Sequence, residues 1–486
     1  VARAPALATG SLVSLAAVLG LGGALQLDAG GPAPSLAAFA AGGLAIAAAF
    51  GFARVRPDDP FTPSLAAAAR WASLVFLVAL ALHARALPAF AVAALAGALT
   101  LIILCTPGAV PLGYPALGLL LATIVTVEAW ATPRPGAAEI LFGGGALALL
   151  FLAVPFAARR ELLESPSLPR GHALAIASFG LALGSPFLFD HDIDVGITLA
   201  GVGGAAALSF AATRAFARGE AARRASALSV GLLALVSFDL AVAFGLEREW
   251  VAYGLSALGL ALIGLRGRVG GERLGAIGVA HLALAAARVV ANPGLLGYHP
   301  RGELPVLNWI APAFLVPAAA CAIGWRALAA GAEGTPPTGA GKGLRALPGA
   351  LALVLLFGWA NVAAIDAFAS GPAVSFETDA PQARDLAMSL VWAAFGVGLL
   401  VLGMRRGSGA LRSASLVLMV ATAGKAFLYD LSQLEDLYRV ASLVALAGSL
   451  LGISVLYQRY VFAAGGARGR AAAGAGGGGP PEGAPR

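Results

Sequence analysis

Apolar runs of about 18–24 residues recur along this chain, separated by short polar breaks, and they constrain its fold more than any other feature. Each run is long enough to cross ~30 Å of hydrocarbon as a helix. Within lipid the backbone must satisfy its own hydrogen bonds, which leaves helices or a closed barrel. A barrel would show ~10-residue segments of alternating polarity, and none is present. Charged residues are 12% of the chain and apolar ones 59%, too little polar surface to cover a soluble protein of this length. The expected fold is therefore all-α, a polytopic transmembrane helical bundle.

The runs place candidate spans at 11–27, 35–53, 71–86, 88–105, 111–131, 138–158, 172–189, 194–214, 226–246, 249–266, 272–291, 305–328, 347–369, 384–404, 409–428 and 437–460. About sixteen spans are expected, within a range of 14–18. The basic residues test this division, because cytoplasmic loops carry the excess of Lys and Arg. Arg54, Arg56 and Arg70 fall in the second loop, and Arg159, Arg160 and Arg170 in the sixth. Arg214, Arg218, Arg223 and Arg224 follow in the eighth, and Arg405, Arg406 and Arg412 in the fourteenth. The odd loops are nearly free of them, so even loops and both termini are expected in the cytoplasm. The net charge of +7 is then topological rather than a nucleic-acid footprint, because no basic patch is interleaved with aromatics. The expected surroundings are the lipid bilayer of a bacterial cytoplasmic (inner) membrane and other membrane proteins, with no nucleic acid.

The expected organisation is a first membrane region over 1–330, a flexible cytoplasmic linker over 331–346, a four-helix membrane region over 347–463 and a disordered tail over 464–486. The linker "GAEGTPPTGAGKG" only superficially suggests a phosphate loop. Pro336 stands where the first glycine belongs and Gly343 replaces the Ser/Thr. The Gly/Pro-rich tail cannot bury apolar area. Cys105 and Cys321 lie in apolar stretches and read as small core residues rather than metal ligands or a disulfide. Because the chain opens on Val and its first apolar run resembles the others, it is expected to be the latter part of a longer protein.

Ionisable residues inside the spans are costly, so each is a functional candidate. They are His83, Glu128, Asp239, His281, Arg288, Asp366 and Lys425, with Asn308 and Asn361 as neutral companions. In the topology above all of them fall in the outer half of the membrane. Two readings follow: interfacial side chains that snorkel, or the lining of a polar cavity open to the outside. On the same side, "DHDID" (Asp190, His191, Asp192, Asp194) is a weak metal candidate. As a calcium loop it lacks the glycine, replaced by Val195, and the glutamate, replaced by Gly201. Trp309 reads as an aromatic-belt residue or as part of the outer site. Neither a catalytic triad nor a zinc signature is present, and no cofactor is expected.

Only two of the 32 basic residues are lysines, Lys342 and Lys425. Lys425 stands five residues before Asp430 in "GKAFLYDLSQLEDLYRVASLV". Ser432 and Glu435 there have the form of a capping box, and Glu435 can pair with Arg439 at i,i+4. Lys425, Asp430 and Arg439 are accordingly candidate site residues. The carboxy-terminal third resembles the bacterial membrane proteins grouped as domain of unknown function 2339. The likeness rests on Asn308-Trp309, Trp392, Leu411-Arg412, Lys425 and Asp430 with Tyr438-Arg439, and Leu456-Tyr457-Gln458. It implies a multi-pass inner-membrane protein, often longer at the amino terminus, and supplies no reaction. Function is expected to be transport, or handling of envelope lipid, polysaccharide or a small solute, through an outward-facing polar cavity. The alternatives are a scaffold or assembly factor without catalysis and a lipid-linked transferase. Pro312 and Pro317 would suit transport if they broke the twelfth span near Asn308.

Overall fold

The computed structural model describes residues 32–426 apart from 56–57, 59–61, 84–86, 88, 106–112, 131–135, 159, 191–194, 218, 270–271, 293, 303, 307, 331–338, 370, 372–373 and 375–381, together with positions 444, 447, 448, 451 and 454. Among the described residues every regular element is helical, as apolar runs in lipid require. Nine helices there are long and apolar enough to cross a membrane, and three more apolar helices are shorter. The expected spans from 35–53 to 409–428 each fall on a helix. The spans expected at 11–27 and 437–460 lie outside the described residues, isolated positions excepted.

The chain divides into two compact units, Val1–Gly254 and Leu255–Arg486. In the first, α1 (Pro32–Val55), α2 (Thr62–His83), α3 (Ala89–Cys105), α4 (Tyr114–Ala129) and α5 (Ala137–Ala158) precede a short α6 (Arg160–Glu164). Next come α7 (Ser167–Asp190), α8 (Val195–Phe216), α9 (Glu220–Ser226) and α10 (Leu232–Gly245), the last two joined by a π turn at Ala227–Gly231. The closest partners are α4 with α7 and α8 with α10. Phe76, Leu77, Leu80, Leu117, Leu121 and Phe151 are among the fully buried side chains of its core.

The second unit holds most of α11 (Trp250–Val269), then α12 (Glu272–Val290), α13 (Ile310–Ala330), α14 (Gly339–Phe368), α15 (Gln382–Arg405) and α16 (Gly409–Lys425). Here α13 lies along α14 and α15 along α16. A Cβ on Gly278 would stand 2.7 Å from the Gly259 carbonyl oxygen, so glycine at that crossing lets α11 and α12 touch backbone to backbone. Gly407, at φ +63°, ends α15: Ser408 N donates to Gly403 O and Gly407 N to Met404 O, a Schellman closure. Ser408 then caps α16 by accepting from Leu411 N.

Two boundaries differ from expectation for a shared reason. Helix α2 begins at Thr62 rather than 71, and α14 at Gly339 rather than 347, so residues 339–346 of the expected linker are helical. Arg70 and Arg345 therefore sit within helices. A helix continues past the hydrocarbon edge wherever the basic head can reach water from its aliphatic stem. Helix α13 starts at Ile310 rather than 305 and runs unbroken through Pro317.

Candidate functional site

The strap between α12 and α13 carries the densest polar geometry. Asn292 opens it by accepting from Gly294 N, 3.1 Å, and donating to the Tyr298 hydroxyl, 2.5 Å. Arg301 follows, its side chain only 13% exposed. Its Nε donates to Asp366 Oδ1 at 2.7 Å, its Nη2 to the Asp366 carbonyl at 2.7 Å and its Nη1 to the Ala369 carbonyl. The guanidinium thus both pairs with a carboxylate and caps the carboxy-terminal end of α14, where orphan carbonyls carry partial negative charge. The second oxygen of Asp366, Oδ2, accepts from Val306 N at 2.6 Å and from Asn308 Nδ2 at 2.9 Å. Asn308 completes the start of α13, its Oδ1 accepting from Ile310 N at 2.9 Å. Val306 sits at φ +69°, a region a β-branched residue rarely enters; the bond to Asp366 holds it there.

Asp366 is 1% exposed and both its oxygens are taken. It therefore joins strap to helix rather than lining an open cavity. Trp309 packs against His299, with centroids 5.1 Å apart, and Tyr298, 6.5 Å apart. Its indole N–H is buried without a hydrogen-bond partner among the described residues.

Two other candidates of this unit, Asn361 and Lys425, are tied between helices in the same way. Asn361 on α14 accepts from Trp392 Nε1 of α15 at 2.6 Å and donates to Phe357 O at 2.7 Å. Lys425 at the end of α16 donates to Ser389 Oγ at 2.7 Å and to the Asp385 carbonyl at 3.1 Å, both on α15. His281 is half-buried with Nδ1 2.8 Å from Ile277 O of its own helix, and Arg288 is exposed. Asp430, Arg439 and the proposed cap at Ser432 lie outside the described residues, so the pairing of Lys425 with Asp430 does too.

In the first unit Asp239 is half-buried on α10. His83 and Asp190 close α2 and α7, while His191, Asp192 and Asp194 lie outside the described residues. Among the described residues no group of three or more His, Cys, Asp or Glu is placed to hold a metal. Glu128, 8% exposed, lines a small cavity with Glu139.

One buried network was not anticipated from the sequence. Tyr114 OH donates to Phe151 O at 2.7 Å, His172 Nε2 meets Tyr114 OH at 2.8 Å and His172 Nδ1 meets Ser209 Oγ at 2.7 Å. The tyrosine has one proton and gives it to the carbonyl, so Nε2 is the donor to its oxygen. The cause lies four residues along α5: Pro155 has no N–H, which leaves the Phe151 carbonyl without its helical partner. Tyr114 fills that vacancy and stacks on Phe151 at 4.3 Å. A proline inside an apolar run was the available signal, because it orphans a known carbonyl. Arg301, Ser389 and Trp392 were likewise not singled out for these contacts, since their partners are remote in sequence.

These arrangements join helices and cap their ends. Neither a curated protein nor a solved structure matches the chain. The family model described as predicted membrane protein (DUF2339) matches residues 265–460, which takes in the strap, α12 to α16 and the Arg301–Asp366 pair.

Proposed function

We propose that this multi-pass membrane protein is a scaffold or assembly factor of the bacterial cytoplasmic membrane, with about sixteen spans and both termini in the cytoplasm. The observation that carries this reading is Asp366. A carboxylate at such depth is the first place to look for a transport or catalytic group, yet here Arg301, Val306 N and Asn308 engage both its oxygens. Asn361 and Lys425 are joined to α15 in the same manner. The polar side chains support an ordered bundle and an ordered strap, a surface suited to other membrane proteins. A scaffold needs that rigidity; a carrier needs polar groups that change partners. The transport reading keeps one supporting observation, the cavity at Glu128.

The test is native mass spectrometry of the full chain extracted from its host in mild detergent. The expected result is a complex of fixed stoichiometry with another membrane protein. A chain that runs alone and drives solute flux in liposomes would overturn the scaffold in favour of transport.

A further inference from the structure

Glu128 lies in the last turn of α4, 8% exposed, and its Oε1 is buried without a hydrogen-bond partner among the described residues. It faces a small cavity whose second carboxylate is Glu139, in the first turn of α5 and exposed. The remaining wall is apolar, with Ala89 and Val92 from α3, Ile124 from α4 and Ile140 and Leu147 from α5. The space is tight because α5 runs close to its neighbours: a Cβ on Gly144 would stand 2.8 Å from Val125 Cγ1, and one on Gly143 would stand 3.3 Å from Ala93 Cβ.

The local charges all favour a cation. A buried carboxylate oxygen without a partner is costly for a protein to hold. The carboxy-terminal end of α4 adds partial negative charge beside it, and Glu139 adds a second carboxylate. Protonating Glu128 would remove its charge but still leave Oε1 without a donor. A cation between the two carboxylates answers both needs.

We propose that the Glu128–Glu139 cavity is a binding site for a small, partly hydrated monovalent cation of the sodium class. The two carboxylates offer at most four protein oxygens and the rest of the wall is apolar, short of the six to eight that Ca²⁺ takes. The cavity is also too small for a sugar or a lipid headgroup. In the topology that the basic loops imply, the site opens on the outer face, with Glu139 at its mouth and Glu128 at its base. This goes beyond the scaffold reading, and either can fail without the other.

The measurement is ²²Na⁺ binding to the full-length protein in phosphatidylcholine nanodiscs. Saturable binding is expected, displaced by unlabelled Na⁺ and not by choline. Glu128→Gln should weaken it at least tenfold. Glu139→Gln should weaken it several-fold, and it decides the matter if Glu128→Gln fails to fold, because its side chain is exposed. Three results overturn the site: no saturable binding to the wild type, binding unchanged in the folded variants, or Ca²⁺ displacing the label better than Na⁺.

Discussion

At the residue scale, Asp366 and Arg301 show how position in a membrane protein is read only in part from sequence. Depth alone marked Asp366 and Asn308 as costly polar residues that require a reason. The reason is Arg301, separated from Asp366 by 65 positions, and no periodicity links residues so far apart. Nor does sequence show that Val306 takes a left-handed backbone, since nothing in a β-branched residue announces it. Removing one partner of a buried ion pair leaves the other charge unanswered. Arg301→Met and Asp366→Asn should therefore each lose about 3–5 kcal/mol of stability. In a double-mutant cycle the combined variant should lose far less than the sum. Equilibrium unfolding in mixed micelles measures both; additive losses would mean that the pair does not act as a unit.

At the element scale, hydropathy located the helices well, because apolar length is a bulk property of a run. It misplaced their ends, because helices such as α2 and α14 carry Arg70 and Arg345 beyond the apolar stretch. It also gave no view of how helices are tied side to side. The network through Tyr114 exists because Pro155 removes one backbone donor from α5, and that dependence can be tested directly. Tyr114→Phe should cost about 0.6–2 kcal/mol, the range spanned by interhelical hydrogen bonds in membranes. In a Pro155→Ala background the restored backbone N–H can bond Phe151 O, and the same tyrosine substitution should cost markedly less. Unfolding of the four proteins of this cycle supplies the check. Equal costs in the two backgrounds would separate the tyrosine from the proline.

At the scale of the whole molecule, each unit ties polar side chains of different helices together by hydrogen bonds and exposes large apolar side chains along its helices. Phe142, Leu208 and Leu390 are 79%, 75% and 71% exposed, surfaces that in a bilayer meet lipid tails or neighbouring proteins. Membrane location was legible from composition alone. The work done there was not, because a polar residue at depth reads the same in sequence whether it lines a pathway or holds two helices together. In the unit containing α12 to α16, Asp366, Asn361 and Lys425 hold its elements together. That claim is tested most directly by complementing a deletion strain with Asp366→Asn, Asn361→Ala and Lys425→Met, with function measured against the amount of folded protein in the membrane. Function should fall only in proportion to the folded amount. A variant present at the wild-type level yet without function would contradict it.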